Sequence, residues 1–572
     1  MRIAVIKETE CEAPDNCNYI CAEVCPRVRQ GAKETVYARE NGKAAITESL
    51  CISCGICVKR CPFDAIRIIN LPDEMAKDIT FQYGINSFRT FNIATPIENK
   101  VVGLIGRNGI GKTTNIKLIS NELIPNFGDL KKEPSSEEVI KAFRGKEIQP
   151  YLTKLYSNNL IIATKTQSFS QSGKVRDLVG ANRFNLVPKD ILDRDAETLS
   201  GGEAQIVEIA KTLDKEADVY IFDEPMNYLD INTRIKVATK IKEALENKTV
   251  VVVEHDLVML DYLTEYIQIL YGSESNYGIA SHIMPSRNGI NTYLDGYLQT
   301  ENVRFRDYSI KIKKTLPPVT NEQFISWPEF VVKLDNFSLD TKGGQLYKGD
   351  IIGVIGENGI GKSTFIKALA GIIETSIGKL DLGIKISYKP QILKPFDMIV
   401  SDTLLNTNPQ YESDLGIVSA INKFGINKIM TKNVITLSGG ELQKLAIVTT
   451  LMKPADIYLI DEPSANLDIE DRLECMNIIS SFISSRKKCA IIVDHDLAFL
   501  DSTCPKSILF NGKKGVKGMT DQIEGTGKAI NNFLKSIDVT IRRDKDSGRP
   551  RINQKGSRLD LEQKASNIYF AE

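Results

Sequence analysis

Short apolar runs that end at a glycine or at acidic residues recur along the chain and predict buried strands. VVGLIG ends at Gly106, VYIFDEP ends at Pro225 and VVVEHD ends at Asp256. Strands covered on both faces read as continuous apolar runs rather than as alternating patterns. A glycine loop and a helix start follow the first run. The pattern predicts an α/β fold.

The same series of segments occurs twice in the same order, which indicates an internal duplication. GRNGIGKTT at residues 106–114 recurs as GENGIGKST at 356–364, an offset of 250 residues. The serine of LSGGE, the aspartate of DEP and a histidine after a strand recur at offsets of 238, 238 and 240 residues. Because several motifs keep one order twice, the chain is predicted to contain two related domains.

The two copies differ in length before a glutamine that follows the glycine loop. Gln167 lies 55 residues after Lys112, whereas Gln391 lies 29 residues after Lys362, so the first copy carries 26 extra residues. Apolar positions in this segment predict two short helices around a Gly-containing turn. These positions are Val139, Ile140, Phe143, Leu152, Leu155 and Tyr156.

Composition limits the remaining possibilities. The 572 residues allow about four domains at roughly 150 residues each. Lys plus Arg and Asp plus Glu both number 73, which excludes a global charge that would steer the molecule toward nucleic acid or membrane. No segment approaches the roughly 18 apolar residues of a spanning helix, and the first residues lack a secretory signal. We therefore expect a soluble, intracellular protein.

Two segments have compositions typical of connections between domains. Residues 271–315 lie between the copies and are rich in Gly, Asn, Tyr and Arg, which suggests a hinge or brace. Residues 542–558 carry seven basic and two acidic side chains. This basic segment either contacts phosphate or is simply solvated.

Each glycine loop follows a predicted buried strand and begins a helix, as in a P-loop. Backbone amides at such a helix start wrap a phosphate chain, the lysine reaches the terminal phosphates, and the next hydroxyl binds Mg²⁺. The alternative is an ordinary α/β turn. The predicted ATP-binding residues are Gly106, Asn108, Gly109, Gly111, Lys112, Thr113 and Thr114 in the first copy, and Gly356, Asn358, Gly359, Gly361, Lys362, Ser363 and Thr364 in the second.

Acidic residues at the following strand ends supply the chemistry of hydrolysis. Asp223 and Asp461 are predicted to hold Mg²⁺, together with the hydroxyls of Thr113 and Ser363. Glu224 and Glu462 are predicted to polarise the attacking water. The next strand in each copy ends in a histidine, and these two residues, His255 and His495, are predicted to contact the γ-phosphate.

Aromatic residues before the first glycine loop are candidates for adenine stacking. Tyr83 and Phe88 either provide an aromatic face for the base or pack in the core. We assign no stacking residue in the second copy.

LSGGE offers a second anion site at a helix start, which is redundant within one P-loop domain and therefore predicts an interface between the copies. The residues concerned are Ser200, Gly201, Gly202, Ser438, Gly439 and Gly440. These motifs resemble those of the ATP-binding cassette superfamily. The resemblance implies that Lys112 works opposite Ser438 and Lys362 opposite Ser200.

The same resemblance gives roles to two further pairs of residues. Gln167 and Gln391 would sense the γ-phosphate and the attacking water and help to bind Mg²⁺. Asp230 and Asp468, which end the segments YLD and NLD, would bridge the two copies.

Eight of the eleven cysteines lie near the start of the chain, and their spacing predicts iron-sulfur chemistry. CISCGICVKRCP has the C-x₂-C-x₂-C-x₃-C-P spacing of bacterial-type ferredoxins, and a modified version precedes it. Two [4Fe-4S] clusters are predicted, and a zinc site is the alternative. Because the fourth cysteine usually reaches the other cluster, one set is Cys51, Cys54, Cys57 and Cys25, and the other is Cys11, Cys17, Cys21 and Cys61.

Nearly the whole sequence resembles the RNase L inhibitor family, the ABCE-type ribosome-recycling ATPases. The resemblance rests on GICVKRCPFDAI, the motifs above, GINTYLDGYLQTENVRFRD and the terminal RRDKDSGRPRINQKGSR. Two departures from the family pattern are PMNYLD, where Met226 and Asn227 replace a pair of serines, and ATKTQSF around Gln167.

The family resemblance implies an α/β protein with two P-loop cassette domains packed head to tail and an N-terminal α+β ferredoxin-like domain. The expected segments are 1–75 for the iron-sulfur domain, 76–270 for the first cassette with a helix-loop-helix insertion near 132–160, 271–315 for the hinge, 316–535 for the second cassette and 536–572 for a basic C-terminal hinge segment.

The resemblance also implies an ATPase that splits terminated or stalled ribosomes into subunits, with a link to initiation on the small subunit. The implied partners are both ribosomal subunits and their rRNA, a release or rescue factor in the A site, and initiation factors, but no membrane. The cassettes would pair within one monomer, and the clusters would act as structural staples. The expected location is the cytoplasm, with the nucleus as a second location in a eukaryote.

Three alternatives remain open at this point. They are a cassette pair that serves a membrane permease, an ABC-F-like translation factor or ATPase subunit of another complex, and a redox enzyme in which ATP drives electron transfer.

Overall fold

The computed structural model describes residues 2–70, 79–157, 159–165, 172–310, 312, 322–334 and 336–571. The N-terminal unit combines two small two-stranded sheets with short helices, and two of its cysteines, Cys21 and Cys57, lie on these helices. Its first and last strands pair antiparallel, with Ala4 opposite Ile68. Its elements are β1 Arg2–Ile6, α1 Ile20–Glu23, α2 Pro26–Arg29, β2 Val36–Ala38, β3 Ala44–Ile46, α3 Ile56–Arg60 and β4 Ile66–Asn70.

The N-terminal unit is joined to the next domain by polar contacts that are largely buried. Asn86 is fully buried and exchanges hydrogen bonds with the backbone of Ile46, accepting from its N–H at 2.7 Å and donating to its carbonyl at 2.9 Å. The guanidinium of Arg89 forms two hydrogen bonds to the carboxylate of Glu48, at 3.3 and 2.5 Å. This joint fixes the orientation of the cysteine-bearing unit on the first large domain.

The first large domain is α/β. Its elements are β5 Ile79–Gln82, β6 Arg89–Phe91, β7 Val101–Ile105, α4 Lys112–Ile119, α5 Ser136–Ala142, α6 Gln149–Tyr156, β8 Ile162–Lys165, α7 Val175–Val179, α8 Lys189–Leu192, α9 Gly201–Asp214, β9 Val219–Asp223, α10 Ile231–Ala244, β10 Thr249–Val253, α11 Leu257–Leu263, β11 Tyr266–Ser273 and β12 Tyr277–Pro285.

The second large domain repeats this series without the additional helices. Its elements are β15 Gln323–Trp327, β16 Phe330–Leu334, β17 Phe337–Thr341, β18 Gly344–Tyr347, β19 Ile351–Ile355, α13 Lys362–Leu369, β20 Ile386–Lys389, α14 Val400–Thr407, α15 Leu415–Lys423, α16 Gly439–Met452, β21 Ile457–Asp461, α17 Ile469–Arg486, β22 Cys489–Val493, α18 Leu497–Thr503, β23 Lys506–Lys513, β24 Lys517–Thr520, β25 Glu524–Gly525 and α19 Thr526–Ser536.

The two domains have main sheets with the same strand order. The first runs β5-β6-β12-β11-β7-β10-β9-β8, and the second runs β16-β17-β24-β23-β19-β22-β21-β20 with β25 beside β23. Strands β11, β7, β10, β9 and β8 are mutually parallel, as are their equivalents. The central strands are buried over their whole length, which explains their continuous apolar sequences.

The extra segment of the first domain forms two helices, α5 and α6, around a turn at Gly145. A capping box begins α5, because Ser135 Oγ accepts from the Glu138 backbone while the Glu138 carboxylate accepts from the Ser135 backbone. Val139 and Leu152 are fully buried, so the pair packs by its apolar face against the domain.

The connection between the large domains is shorter than the sequence pattern predicts. Residues 271–285, predicted as the start of the hinge, belong to the hairpin of β11 and β12 within the first sheet. The Gly- and Asn-containing turn of this hairpin interrupts the apolar pattern and resembles a linker in composition. The connection begins with α12 Ser286–Asp295 and continues through β13 Tyr297–Leu298 and β14 Val303–Arg304.

The C-terminal segment packs against the first large domain and its connection. It contains β26 Ile541–Arg543, β27 Pro550–Ile552 and α20 Arg558–Ala565. Arg549 is fully buried, and both it and Arg551 pair with Asp261 of α11 at 3.2 and 2.6 Å. The end of the chain therefore returns to its first half.

Candidate functional site

Both glycine loops connect a buried strand to a helix, as a phosphate-binding loop requires. Gly111 has a φ of +96° and Gly361 has a φ of +100°, in the left-handed region. A Cβ on Gly111 would lie 2.6 Å from Phe88 Cζ, and one on Gly361 would lie 2.8 Å from Phe337 Cζ. Only glycine fits these positions.

The loop lysines are buried and face the curved backbone. Lys112 Nζ donates to the carbonyls of Gly106 and Arg107 at 2.9 Å each. Lys362 Nζ donates to the carbonyls of Gly356 and Glu357 at 2.8 and 2.6 Å. Burial lowers the pKa of Lys362 to about 8 and lowers the pKa of Lys112 as well. A bound phosphate would favour the charged form of both side chains.

Asp223 ends β9 and Asp461 ends β21, and each of these strands lies two places from the strand that leads into the glycine loop of its own domain. Both aspartates are almost fully buried. Burial, with the adjacent glutamate in each case, raises both pKa values to about 6, although the Ser363 hydroxyl opposes this for Asp461. Asp223 Oδ1 accepts no hydrogen bond from the described residues. A buried carboxylate oxygen without a donor fits the ligand chemistry of Mg²⁺.

Glu224 and Glu462 follow these aspartates in an unusual backbone conformation. Their φ angles are +48° and +49°. Each carboxylate Oε1 lies 3.1 Å from the Nε2 of a histidine, His255 for Glu224 and His495 for Glu462. The two acids are thus paired with the residues predicted to contact the γ-phosphate.

The electrostatic setting of Glu224 favours its ionised form. Burial alone would raise its pKa, but the hydrogen bond with His255 and the nearby charge of Lys112 lower it to about 2. Burial lowers the pKa of His255, and Lys112 adds to this effect. Because an ionised carboxylate can only accept a hydrogen bond, Nε2 of His255 is the donor in this contact.

Besides the histidine, each glutamate carboxylate accepts one further hydrogen bond, and the donor differs between the domains. Asn227 Nδ2 donates to Glu224 Oε2 at 2.5 Å. The equivalent position in the second domain is Ala465, and Glu462 instead accepts from Gln391 Nε2 at 2.8 Å, on Oε1. Gln167, the predicted counterpart of Gln391, lies outside the described residues.

The LSGGE serines begin helices α9 and α16 through identical capping boxes. Ser200 Oγ accepts from the Glu203 backbone, and Ser438 Oγ accepts from the Glu441 backbone. The two glycines after each serine pack against the loop that follows the acidic strand of the same domain, at Tyr228 and Asn466. The backbone N–H groups at these helix starts suit an anion.

The two domains meet head to tail, and each glycine loop contacts an aspartate of the other domain. The Asn108 backbone N–H donates to Asp468 Oδ2 at 3.0 Å, and the Asn358 backbone N–H donates to Asp230 Oδ2 at 3.0 Å. This reciprocal pair of contacts matches the bridging role predicted for the two aspartates.

One cavity of about 1310 Å³ joins the second glycine loop to the LSGGE segment of the first domain. We call this site 2, and we call site 1 the first glycine loop with the Asp468 and LSGGE segment of the second domain. The predicted residues that line the cavity are Asn358, Gly359, Gly361, Lys362, Ser363, Thr364, Ser200, Gly201, Gly202, Gly439, Gln391, Glu462 and His495. Lys362 and Ser200 are therefore brought to one cavity.

The aromatic candidates take two different positions in the first domain. Tyr83 is half exposed, and its hydroxyl lies 3.2 Å from Thr114 Oγ1. Phe88 packs edge-on against Gly111. Phe337 has the same relation to Gly361 in the second domain, and the sequence interpretation missed it. The sequence does contain a signal for Phe337, because it lies 19 residues before Gly356, as Phe88 lies 18 residues before Gly106.

The eight N-terminal cysteines form no disulfide bonds and lie in two neighbouring groups. Burial raises the pKa of Cys21 to about 12, with further contributions from Cys17 and Cys11. Burial raises the pKa of Cys57 to about 11, with Cys51 and Cys54 next. Thiols held together in this way fit a metal cluster, because ligation removes their protons.

The four cysteines of one predicted ligand set line the same small cavity. They are Cys11, Cys17, Cys21 and Cys61. Cys25, the cysteine from the first run in the other predicted set, contributes to the electrostatic environment of Cys57. Among the described residues, no three His, Cys, Asp or Glu side chains are arranged to hold a single metal ion.

The basic C-terminal segment directs several of its charges inward. Arg543 pairs with Asp501 at 2.5 Å, and Arg549 and Arg551 pair with Asp261. Arg287 of α12 pairs with Asp544 at 2.9 Å. These arginines brace the domains instead of presenting a free phosphate-binding surface.

No helix in the described part of the chain has the length and apolar character to cross a membrane.

Comparisons with known proteins extend these observations. The family model for ABC transporters matches residues 94–227 and 339–465, and the model for 4Fe-4S binding domains matches residues 44–67. An uncharacterized ABC transporter ATP-binding protein of Methanocaldococcus jannaschii is 42% identical, with 100% of this chain and 97% of the relative aligned. The translation initiation factor RLI1 of Chaetomium thermophilum is 39% identical, again over 100% of this chain and 97% of the relative.

A solved structure of ribosome-bound archaeal Pelota and ABCE1 contains a similar chain. It matches with a TM-score of 0.91 at 40% identity and covers 100% of this chain and 99% of that chain.

Proposed function

Because the chain belongs to the family of ABCE-type ribosome-recycling ATPases, the RNase L inhibitor family, we propose that it couples ATP hydrolysis to the separation of ribosomal subunits. The observation that carries this proposal is the reciprocal pair of contacts between each glycine loop and the aspartate of the opposite domain. ATP bound at such an interface stabilises the closed pair, and its hydrolysis allows the pair to open.

The residues of each site support a common sequence of roles. Lys112 and Lys362 would bind the terminal phosphates, and the LSGGE serine of the opposite domain would contact the same nucleotide. Mg²⁺, held by Asp223 with Thr113 or by Asp461 with Ser363, would neutralise charge on the phosphates. Gln167 and Gln391 would add contacts to the metal and the water. Phe88, Phe337 and Tyr83 are candidates for contact with adenine.

Hydrolysis requires a base next to the attacking water. We infer that Glu224 and Glu462 take the proton from that water, while His255 and His495 donate from Nε2 and orient the carboxylates. The low pKa of Glu224 keeps the carboxylate ionised and ready to accept the water's hydrogen bond.

The N-terminal unit would hold iron-sulfur clusters that stabilise its short helices. We propose two clusters with the cysteine sets given above, the number suggested by eight thiols in two groups. The unit is attached rigidly to the first cassette through Asn86 and Arg89. Closure of the cassettes would therefore move the unit as a lever between the ribosomal subunits.

The proposed partners follow from the family and from the relatives' names. RLI1 is a translation initiation factor, and the solved relative is bound to a ribosome with Pelota. We propose that this chain binds both subunits and their rRNA, acts with a release or rescue factor in the A site, and also serves initiation on the small subunit. These partners would locate it in the cytoplasm.

Replacing both proposed bases tests the enzymatic part. We expect Glu224→Gln with Glu462→Gln to reduce steady-state ATPase activity at least about 100-fold, since general bases contribute about 10²–10⁴-fold. The exposed Glu246→Gln should have no effect. Unchanged ATPase activity in the double variant would show that these acids are not the bases.

Sedimentation of ribosomes tests the cellular role. Purified ribosomes incubated with the protein, ATP and a release factor should yield free subunits. We expect Cys54→Ser to abolish splitting while ATPase activity persists, because the lever loses its cluster. Ribosomes that stay whole with the wild-type protein would contradict the proposed function.

A further inference from the structure

Buried side chains contact the backbone behind the base of site 1, and the mechanism above does not use them. Lys165 Nζ donates to the carbonyl of Asp223 at 2.9 Å and to that of Glu224 at 3.4 Å. Gln205 Nε2 donates to the Glu224 carbonyl at 2.7 Å. Lys165 is 1% exposed and Gln205 is 7% exposed, so both donors lie in the protein interior.

The second domain repeats this arrangement. Lys389 Nζ donates to the carbonyl of Asp461 at 2.9 Å and to that of Glu462 at 3.5 Å. Gln443 Nε2 donates to the Glu462 carbonyl at 2.6 Å. The two domains differ nearby, at Asn227 and Ala465, yet they share these donors. The lysine and glutamine donors are therefore linked to the glutamate backbone and not to the residue beside its carboxylate.

The left-handed backbone of the two glutamates explains what the donors do. A positive φ is unfavourable for a residue with a side chain, so other interactions must maintain it. A buried carbonyl without a donor is also unfavourable. The lysine and glutamine satisfy the carbonyl in its present direction and thereby favour the φ of +48° at Glu224 and +49° at Glu462.

We propose that Gln205 and Gln443, assisted by Lys165 and Lys389, are positioning residues that hold the two glutamates in the conformation needed for catalysis. The inference rests on the proposed role of the glutamates as bases. It predicts that each glutamine acts on the base of its own domain.

The glutamines also connect the two sites. Gln205 lies on α9, the helix that Ser200 caps, and Ser200 lines site 2. The same helix thus carries a contact to the nucleotide of site 2 and a contact to the base of site 1. A shift of α9 when ATP binds at site 2 would be transmitted to Glu224.

Single-site backgrounds allow a direct test. Gln205→Met keeps the side-chain length but removes the donor. In a Glu462→Gln background, where turnover reports site 1, we expect Gln205→Met to lower kcat at least tenfold and to change KM for ATP less than threefold. In a Glu224→Gln background, where turnover reports site 2, the same substitution should lower kcat less than threefold.

The second domain provides an independent variant. Gln443→Met should lower kcat at least tenfold in the Glu224→Gln background and less than threefold in the Glu462→Gln background. Lys211→Met is the control, because Lys211 lies on the same helix as Gln205 but pairs with Glu208, one turn away on that helix. It should leave both sites within twofold of their parent values.

The outcomes separate the inference from its premise. Unchanged kcat at site 1 in Gln205→Met would overturn the positioning role. An equal loss of kcat at both sites would also overturn it, because that result would indicate a distorted helix. If the glutamate variants themselves retain full turnover at both sites, the proposed bases are wrong and this inference falls with them. Loss confined to the site of the same domain would support it.

Discussion

At the scale of single residues, the two catalytic glutamates are not equivalent. Glu224 has Asn227 on one oxygen and His255 on the other, whereas both described donors of Glu462, Gln391 and His495, reach the same oxygen. A donor on the second oxygen stabilises the anion and makes it a weaker base. Site 1 is therefore expected to turn over more slowly.

Replacing Asn227 tests this difference. We expect Asn227→Ala to raise kcat at site 1 about threefold to tenfold, because a hydrogen bond to a charged group contributes about 1.5–3 kcal/mol and only part of it is lost in the transition state. The measurement is ATPase activity in a Glu462→Gln background.

The reciprocal substitution is the matched variant. Ala465→Asn should lower kcat at site 2 in a Glu224→Gln background. A decrease at site 1 on loss of Asn227 would instead mean that the amide orients the base productively.

Individual site residues were predictable where a motif fixes both residue type and spacing. The loop lysines, the acids and the histidines all follow this rule, and the structure brings Glu224 beside His255. Gln205 and Lys165 could not be found in this way. Their role depends on a backbone φ and on burial, neither of which a single sequence displays.

At the scale of elements, the helices of the N-terminal unit are too short to be stable alone. α1 and α2 have four residues each and α3 has five, well below the roughly 12 residues at which an isolated helix becomes even marginal in water. Cys21 lies on α1, Cys57 lies on α3 and Cys25 directly precedes α2, so we expect ligation of these thiols to a cluster to supply the missing stability.

Removal of iron should therefore unfold this unit selectively. After chelation under reducing conditions, we expect rapid proteolysis within residues 2–70 while both cassettes remain resistant. Limited proteolysis followed by mass spectrometry gives the measurement, with the iron-loaded protein as control. Equal resistance with and without iron would show that the unit folds independently of its clusters.

The C-terminal arginines are predicted to stabilise the packing of the C-terminal segment against α11. Asp261 pairs with the fully buried Arg549 and with Arg551, so Asp261→Asn leaves a buried positive charge without its partner. Breaking a buried pair costs about 3–5 kcal/mol. We expect a clear decrease in the denaturant midpoint of the first cassette.

Asp546→Asn is the control for this prediction. Asp546 pairs with Arg287 at the surface, with 69% of its side chain exposed, and such pairs contribute about 1 kcal/mol or less. Equal effects of the two substitutions would argue against a bracing role for the buried pair.

The elements themselves were largely predictable, and the boundaries less so. Apolar runs predicted the central strands, since these are buried on both faces. Composition places residues 271–285 of the β11–β12 hairpin in the hinge, because the pairing of these strands with β7 and β6 is a long-range contact that local composition does not report.

At the scale of the whole molecule, one ion-pair network joins the N-terminal unit to the second cassette. Lys432 Nζ lies 3.3 Å from Glu10 Oε1 of the N-terminal unit and 3.2 Å from Oε1 of Glu441, which belongs to the capping box of the LSGGE helix in the second cassette. The unit is thus joined by buried hydrogen bonds to the first cassette and by an ion pair to the second.

Breaking this network should loosen the N-terminal unit. We expect Lys432→Met to broaden the distance distribution between spin labels on the unit and on the second cassette, and Glu10→Gln to do the same. Lys423→Met is the control, because Lys423 pairs with Glu474 within the second cassette. Since Lys432 is partly exposed, global stability should change by about 1 kcal/mol or less.

The return of the C-terminal segment to α11 gives the polypeptide a nearly circular path. The chain passes through the first cassette, crosses to the second, and then returns, so that residues 544–551 contact α11 and α12, where the crossing began. Termination of synthesis after residue 540 would therefore destabilise α11 and α12, which are synthesised much earlier in the chain. The ion pairs from Asp544, Arg549 and Arg551 to α11 and α12 would be missing, although both cassettes had been synthesised.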